Sequence, residues 1–292
     1  EWGESDIAIP GPEARVRQYL FGQRFFQEHM GSASKVGWCP DAFILAPGSL
    51  PQLMKKSGMD FHVHKRPRER YAHLPIVPYL WRGQDGTELV ALRSNNKGRG
   101  LPVLSEGTQA AADKGDLAVV SEEYAKHELG AIWAPMGIGD TGGANAYELP
   151  ETSEMFQCRY ATPSQFFEDL KTEALPVVEG TIPPEMLGCL TTWADVKTLN
   201  RAVENSLQQA EFLTAISRAM DMRPDTDELK EAWKQLLKLQ FHDSVCGCGT
   251  EETKPEVEHG FRQSLATSET VKTRLMRRIA ESVKLSADAG IP

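Results

Sequence analysis

The sequence places an aspartate directly after a short apolar segment. Lys35–Trp38 predicts a β-strand, and Asp41 follows it after Cys39 and Pro40. In open α/β folds, ligands bind and reacting groups gather at the carboxyl ends of the strands. Asp41 is therefore a candidate catalytic residue. Aspartate is also common in turns, so its position alone leaves a turn or cap role open.

A second candidate site contains His242 and Asp243, at the end of a helix predicted over 226–241. Neutral imidazole is the commonest metal ligand in proteins, so His242 is a candidate metal ligand. The alternative is a histidine stabilised by the dipole at a helix C-terminus. Cys246 and Cys248 follow, but no second cysteine pair has zinc-ribbon spacing. This pattern favours two loop thiols over a structural zinc site.

A third candidate is Asp140, inside a glycine-rich segment over 137–142 that matches G-x-G-x-x-G. The apolar run Ala131–Met136 precedes it and predicts a buried strand. A dinucleotide site also needs a helix that opens on the glycines, and 144–154 is poor in helical periodicity. We favour a loop that projects Asp140 into a cleft. A nicotinamide-dependent oxidoreductase is kept as a competing hypothesis.

The elements that must position these residues alternate between strands and helices in the first part of the chain. This alternation predicts an α/β layer with a parallel sheet. His62 and His64 share one face of a predicted strand, where a structural role is favoured over metal binding. Ser164 is a candidate N-cap for one helix. The predicted helices cover 13–29, 50–57, 121–129 and 165–173, the strands 35–38 and 61–64, and a β-hairpin 78–93.

The pattern changes near Thr181–Pro184 and is helical beyond it. Asp225 and Glu228 form a plausible cap for the second helix of this part. Three helices with short connections predict an all-α bundle. We therefore divide the chain into an α/β domain over 1–180 and a three-helix bundle over 181–292. The three predicted helices cover 193–219, 226–241 and 255–286.

Composition and charge limit the classes of function. The 292 residues are 40% hydrophobic and 25% charged, which fits about two ordinary globular domains. The net charge of −9 argues against a nucleic-acid partner. No apolar run reaches the ~18 residues of a membrane span, so we expect no membrane partner. The odd cysteine count suggests a reducing compartment and a cytoplasmic location, and a homo-oligomer is left open.

Six motifs, in this order along the chain, together resemble those of glycoside hydrolase family 38, the α-mannosidases. The resemblance covers roughly 13–285 of the chain. It implies part of a seven-stranded β/α barrel-like catalytic domain, followed by a three-helix bundle. The motifs are VRQYLFGQRFF from Val16, VGWCPDAF from Val36, YLWRGQDG from Tyr79, MGIGD from Met136, KTLNR from Lys197 and QFHDS from Gln240.

The resemblance implies hydrolysis of a terminal α-mannosidic bond with retention of configuration, with zinc as the cofactor. Retention requires two carboxyl groups, one as nucleophile and one as acid/base. Asp41 matches the family nucleophile, which is also a zinc ligand, and His242 matches another zinc ligand. Asp140 is the candidate acid/base. Three further residues are implied to contact the α-mannoside or oligosaccharide substrate: Phe43, Lys65 and Asp243.

Two zinc ligands of the family come from a His-x-Asp motif, and the sequence contains no His-x-Asp. We therefore expect the chain to be an internal fragment of a longer enzyme. Without two of its four ligands the zinc site is expected to be weak, and the fragment by itself inactive. A non-catalytic carbohydrate-binding homologue is the alternative from a different functional class.

Overall fold

The computed structural model describes residues 1–43, 47–67, 73–94, 122–133 and 159–283. The chain divides into two compact units. One unit combines Glu1–Phe25 with Met186–Pro292, and the other is Phe26–Glu185. The first helix of the chain, α1 (Pro12–Met30), contains the boundary between the two units, which lies after Phe25. The predicted division into 1–180 and 181–292 stays a prediction.

The unit Phe26–Glu185 contains a five-stranded sheet with the order β1-β2-β4-β3-β5. Strands β1, β2 and β4 pair in parallel, and β3 pairs antiparallel to β4 and parallel to β5. The predicted α/β class is confirmed, whereas the seven-stranded barrel stays a prediction. The strands are β1 (Val36–Cys39), β2 (Phe61–His64), β3 (Tyr79–Arg82), β4 (Glu88–Arg93) and β5 (Val177–Glu179).

Three short helices accompany this sheet: α2 (Leu50–Lys56), α3 (122–126) and α4 (Pro163–Glu168). The N-cap of α4 is Thr162, so the prediction of Ser164 was wrong. The Thr162 hydroxyl accepts the backbone N–H of Gln165, and the Gln165 side chain accepts that of Thr162. This reciprocal pair satisfies the backbone N–H groups of Thr162 and Gln165. Pro163 suits the first helical position because it has no N–H that would need a partner.

The strand predicted over Ala131–Met136 was wrong for its first three residues. Residues 131–133 have no strand pairing, and 134–136 lie outside the described residues. Their apolar side chains instead pack on a core that contains Val63, Leu92 and Phe166. The apolar run therefore reflects burial of an irregular segment, which periodicity cannot distinguish from a buried strand.

Three long helices of the other unit share one hydrophobic core. Trp233, Leu236 and Leu237 line the buried face of the second helix, at the spacing of an amphipathic helix. Phe261 and Leu275 face this core from the third. The closed three-helix bundle stays a prediction. The helices of this region are α5 (Ala194–Ala219), α6 (Asp227–Leu239), α7 (His242–Cys246) and α8 (Lys254–Ser282).

The boundaries of α6 differ from the sequence expectation at both ends. Its N-cap is Thr226, whose side chain makes no capping bond, and Asp225 accepts the backbone N–H of Asp227 at 3.4 Å. The predicted Asp225–Glu228 cap was therefore wrong. At the other end, α6 stops at Leu239, and His242 is the first residue of the separate helix α7. Among the described residues, no helix has the length and apolar character to cross a bilayer.

Candidate active site

The parallel pairing of β1 and β2 positions the first group of candidate residues. Cys39 at the end of β1 is in register with His64 at the end of β2. Asp41 follows β1 by two residues, and Lys65 and Arg66 directly follow β2. Because both strands point the same way, these three side chains leave the sheet at the same edge. That edge is where α/β folds carry ligand-binding and catalytic groups.

Arg66 joins two carboxylates at this edge. Its Nε and Nη2 contact Oδ1 of Asp41 at 2.9 and 2.8 Å, and its Nη1 contacts Oε1 of Glu185 at 2.9 Å. The Lys65 ammonium lies 3.7 Å from the same Asp41 oxygen. The Glu185 side chain is fully buried, whereas 30% of the Asp41 side chain is exposed. Asp41 is therefore the carboxylate of the pair that a solvent-borne substrate can approach.

The charges of these groups support one another. Partial burial acts to lower the pKa of Arg66, but its hydrogen bond with Asp41 and the charges of Asp41 and Glu185 raise the pKa above its ordinary value. The guanidinium therefore stays charged between two carboxylates. Charge-assisted hydrogen bonds of this kind fix geometry as well as supply energy. The arrangement holds the carboxylate of Asp41 in a fixed position, as a nucleophile requires.

Phe43 lies beside the same guanidinium. The Arg66 guanidinium carbon is 5.4 Å from the centroid of the Phe43 ring, within the range of a cation–π contact. The Phe43 backbone carbonyl accepts the N–H of Glu185 at 3.2 Å. Phe43 is 7% exposed, so most of its ring packs inside the protein. Its contact with substrate stays a prediction.

His64 and Tyr79 form a chain of hydrogen bonds that ends on the backbone carbonyl of Arg66. His64 Nδ1 lies 2.6 Å from the Arg66 carbonyl oxygen, and His64 Nε2 lies 2.6 Å from the Tyr79 hydroxyl. Burial lowers the pKa of His64 well below its ordinary value, so the ring is neutral. A carbonyl can only accept, so Nδ1 donates to Arg66 and Nε2 accepts the Tyr79 proton. This chain of hydrogen bonds fixes the loop that carries Arg66.

His62 stacks on His64 in the same sheet, with ring centroids 5.4 Å apart and planes 9° apart. The shared face that the sequence predicts is therefore confirmed. His62 Nδ1 lies 3.3 Å from the Gly37 carbonyl, and Nε2 has no hydrogen-bond partner among the described residues. Burial lowers the pKa of His62 to about 4. Both rings are consequently neutral parts of the core near neutral pH.

His242 and Asp243 belong to the other unit, in helix α7. His242 is 4% exposed, and its Nδ1 donates to the Glu4 carbonyl at 3.0 Å. Its Nε2 lies 3.9 Å from Oδ1 of Asp243. A histidine whose Nδ1 is held by a carbonyl presents Nε2 as its ligand nitrogen. Because His242 begins a helix, the C-terminal dipole interpretation was wrong.

The two cysteines after His242 occupy different environments. Cys246 is fully buried, and its thiol donates to Oδ2 of Asp6 at 3.2 Å. Cys248 is exposed, and its thiol donates to Oδ1 of Asp243 at 3.0 Å. Partial burial and the carboxylate of Asp243 raise the pKa of Cys248 to about 12. Of the predicted pair of loop thiols, only Cys248 is in a loop.

Asp41 and His242 are the described residues that the resemblance assigns to zinc. The donor types of Asp41 and His242 suit zinc, but the described part of the chain contains no group of three or more His, Cys, Asp or Glu residues arranged to hold a metal. Asp41 is moreover engaged by the guanidinium of Arg66. These residues do not fit a zinc ion on their own, so zinc stays a prediction.

The structure brings some of the predicted site residues together and not others. Asp41 and Lys65 meet at the edge of the sheet. Phe43 contacts the guanidinium of Arg66, which in turn binds Asp41. Asp140 lies outside the described residues. Sequence reasoning missed Arg66 and Glu185. Arg66 was next to a chosen lysine, whereas the sequence carries no signal for a partner 119 residues away.

Comparison with known families decides the classification of the chain. Residues 1–196 match the glycosyl hydrolases family 38 N-terminal domain, and residues 187–279 match the alpha mannosidase middle domain. The chain belongs to glycosyl hydrolase family 38. The predicted resemblance is confirmed.

Individual relatives of this family 38 chain are α-mannosidases. It is 28% identical over 274 residues to an alpha-mannosidase from Saccharomyces cerevisiae. This alignment covers 84% of the chain and 24% of the yeast protein. It is 29% identical over 259 residues to human alpha-mannosidase 2C1, with the same two coverages. The chain thus spans about a quarter of the length of these curated relatives.

A solved structure shows the same fold. An alpha-mannosidase from Enterococcus faecalis aligns with a TM-score of 0.70 and 19% identity, over 96% of the family 38 chain and 34% of that structure. At this identity the comparison supports the fold alone.

Proposed function

We propose that the protein containing this chain hydrolyses terminal α-mannosidic bonds with retention of configuration, and that Asp41 is its nucleophile. Membership in family 38 supports the glycosidase class. The observation that carries the assignment is the position of Asp41 at the carboxyl end of β1, held by Arg66 and Lys65 through Oδ1.

In the first step, a carboxylate oxygen of Asp41 forms a bond to the anomeric carbon of mannose while the bond to the leaving-group oxygen breaks. An acid must donate a proton to that oxygen, and Asp140 is our candidate. In the second step, water gives a proton to the residue that acted as acid and attacks the same carbon, and the ester bond to Asp41 breaks. Two inversions at one carbon give net retention.

Arg66 and Glu185 give this step a suitable charge balance. When Asp41 becomes an ester it loses its negative charge, and the guanidinium beside it loses one of its two counter-charges. Glu185 remains 2.9 Å from Arg66 and keeps the cation paired. The site therefore does not leave an isolated buried cation in the intermediate, which would be costly. Arg66 acts in this scheme as a positioning residue.

The test is hydrolysis of an aryl α-mannoside by the complete gene product and by its Asp41→Gly variant. We expect the variant to lose more than about a hundredfold in kcat, since the covalent path is gone. Added azide should restore part of the rate and give the β-mannosyl azide, because azide occupies the space of the lost carboxylate. Nuclear magnetic resonance identifies the anomer of the product.

The matched control is Asp60→Asn. Asp60 is a second aspartate of the same unit, and it forms exposed ion pairs with Lys55 and Lys35. This variant should keep wild-type turnover. An Asp41→Gly enzyme that retains more than about a hundredth of the activity would reject the nucleophile assignment. Mannoside binding without turnover by the wild type would favour a carbohydrate-binding homologue.

Zinc as cofactor and inactivity of the 292-residue chain by itself are parts of the same proposal. Turnover of the complete gene product is expected to fall on chelation and return with added zinc. Turnover that chelation leaves unchanged would reject the zinc requirement without affecting the role of Asp41. The 292-residue chain, assayed beside it, should show no turnover above background.

A further inference from the structure

A cavity of about 410 Å³ lies in the unit that combines Glu1–Phe25 with Met186–Pro292. Residues of α1, α5, α6 and the N-cap of α6 line it. Phe21, Ala215 and Leu229 supply the apolar part of the lining. This volume is within the usual range for sites that bind small molecules. Among the described residues, those assigned to mannoside hydrolysis do not line this cavity.

Among the described residues that line the cavity, the one carboxylate is already neutralised. Glu211 receives two hydrogen bonds from Arg17, at 2.9 and 2.7 Å, and one from the Trp233 indole at 3.0 Å. Arg17 also lies 4.1 Å from the centroid of the Trp233 ring and bonds Glu13. The Glu211 carboxylate therefore has its counter-charge and a fixed position within a closed local network.

Three further cations line the same cavity: Arg24, Arg218 and Lys230. All three are exposed, and none forms an ion pair or side-chain hydrogen bond with another residue in the described part of the chain. Like charges around one concavity repel, and a concave wall focuses their field. In a chain with a net charge of −9, this local excess of positive charge is unusual. It is the electrostatic pattern of an anion-binding site.

We propose that this cavity binds a small phosphate ester. Its phosphate group would accept hydrogen bonds from Arg24, Arg218 and Lys230, and its organic part would rest on Phe21 and on the exposed Ala215. A doubly charged oxyanion matches three nearby cations better than a carboxylate, and guanidinium groups suit its oxygens. The Thr226 hydroxyl, which makes no capping bond, lines the cavity as one more donor.

Calorimetric titration of the full chain with phenyl phosphate tests this site, near neutral pH and at low salt. We expect one saturable site with a Kd of ~1 mM or tighter. Inorganic phosphate should bind more weakly, because it lacks the group that contacts the apolar lining. Phenol should not bind measurably, because it lacks the charge. Equal affinity for phosphate and phenyl phosphate would reject the apolar contact and leave a plain phosphate site.

Matched variants identify the location of binding. Arg218→Ala and Lys230→Ala should each weaken phenyl phosphate about tenfold or more, and Arg218→Lys should lose less because it keeps the charge. Arg277→Ala, an exposed arginine of α8 that does not line the cavity, should bind like the wild type. The substituted side chains are all exposed, and circular dichroism verifies that each variant is folded. No saturation by about 20 mM, or equal loss in Arg277→Ala, would overturn the proposal.

Discussion

At the scale of single residues, the site depends on the ion pair between the buried carboxylate of Glu185 and the guanidinium of Arg66. The Glu185 side chain is fully buried, and Arg66, 13% exposed, supplies its counter-charge. Placing a carboxylate in the protein interior is costly unless it is paired and hydrogen-bonded. Arg66 therefore has a structural role in addition to its contact with Asp41. Removing either partner should be costly even in the absence of substrate.

Arg66→Met tests this role. It keeps most of the side-chain length and removes the guanidinium, which leaves Glu185 without its cation. We expect the free energy of unfolding to fall by about 3 kcal/mol, as when one partner of a buried ion pair is lost. Urea denaturation of the chain measures the change. Adding Glu185→Gln to Arg66→Met should recover part of the loss, because the uncompensated charge is then gone.

A matched surface arginine separates this effect from a general loss of charge. Arg82 also contacts two carboxylates, Glu88 and Glu179, but all three side chains are exposed. Exposed ion pairs contribute little because water and salt screen them. Arg82→Met should therefore shift the unfolding midpoint much less than Arg66→Met. Equal shifts would show that burial of Glu185 does not determine the energetics.

At the scale of elements, helix α7 depends on the glycine that ends it. Gly247 has φ +71°, and a Cβ there would lie 2.9 Å from Cβ and Cγ of Trp193. An L-residue in this conformation costs roughly 1–2 kcal/mol, and the contact with Trp193 adds to that cost. Gly247→Ala should destabilise the unit that contains α7 by about 2 kcal/mol or more in urea denaturation. The displacement would also affect His242 at the other end of the helix.

Gly31→Ala is the matched control for Gly247→Ala. Gly31 also has a positive φ, +79°, and follows helix α1, but a Cβ there would meet nothing within 4 Å. It should therefore show the conformational cost alone, roughly 1 kcal/mol. If both variants lose the same stability, the Trp193 contact contributes nothing to the cap of α7.

Sequence patterns predicted these elements where local signals are strong. Helix α1 begins at Pro12 and is followed by Gly31, and β2 covers 61–64 as predicted. The local pattern failed at Ala131–Trp133, where burial without pairing resembles a strand. It also missed the Arg66–Glu185 pair, because that contact exists only once the sheet has brought the two segments together. Asp41 could be proposed from the sequence because its signal, a carboxylate after a strand, is local.

At the scale of the whole molecule, the buried histidine pair makes stability depend on pH. Burial lowers the pKa of His62 to about 4 and that of His64 well below its ordinary value. In the unfolded chain both titrate near 6.5. Above that pH the rings are neutral in both states and contribute no pH dependence. Below it the unfolded chain binds protons that the folded chain does not, so stability falls as pH falls.

We expect the free energy of unfolding to decrease as pH drops from about 6.5 towards 4, by up to ~1.4 kcal/mol per pH unit for each histidine. Urea denaturation at several pH values, followed by tryptophan fluorescence, measures this slope. One of the six tryptophans, Trp81, has its ring 6.1 Å from that of His62. His62→Gln should reduce the slope by the contribution of one proton, up to ~1.4 kcal/mol per pH unit, whatever the substitution does to the stability at neutral pH. Carboxylates also titrate in this range, so the difference between variants is the readout. His73→Gln, at an exposed histidine, should leave the slope unchanged.

The pH slope also connects stability to the candidate active site. His64 holds the carbonyl of Arg66 through its neutral tautomer, so a proton on His64 would disrupt its bond with Tyr79. Acid should therefore disturb the support of Arg66 and unfold the sheet over the same pH interval. If neither His62→Gln nor His64→Gln changes the slope of stability between about pH 6.5 and 4, the buried pair does not control acid unfolding. The loss of stability would then belong to the carboxylates, with Glu185 as the first residue to test.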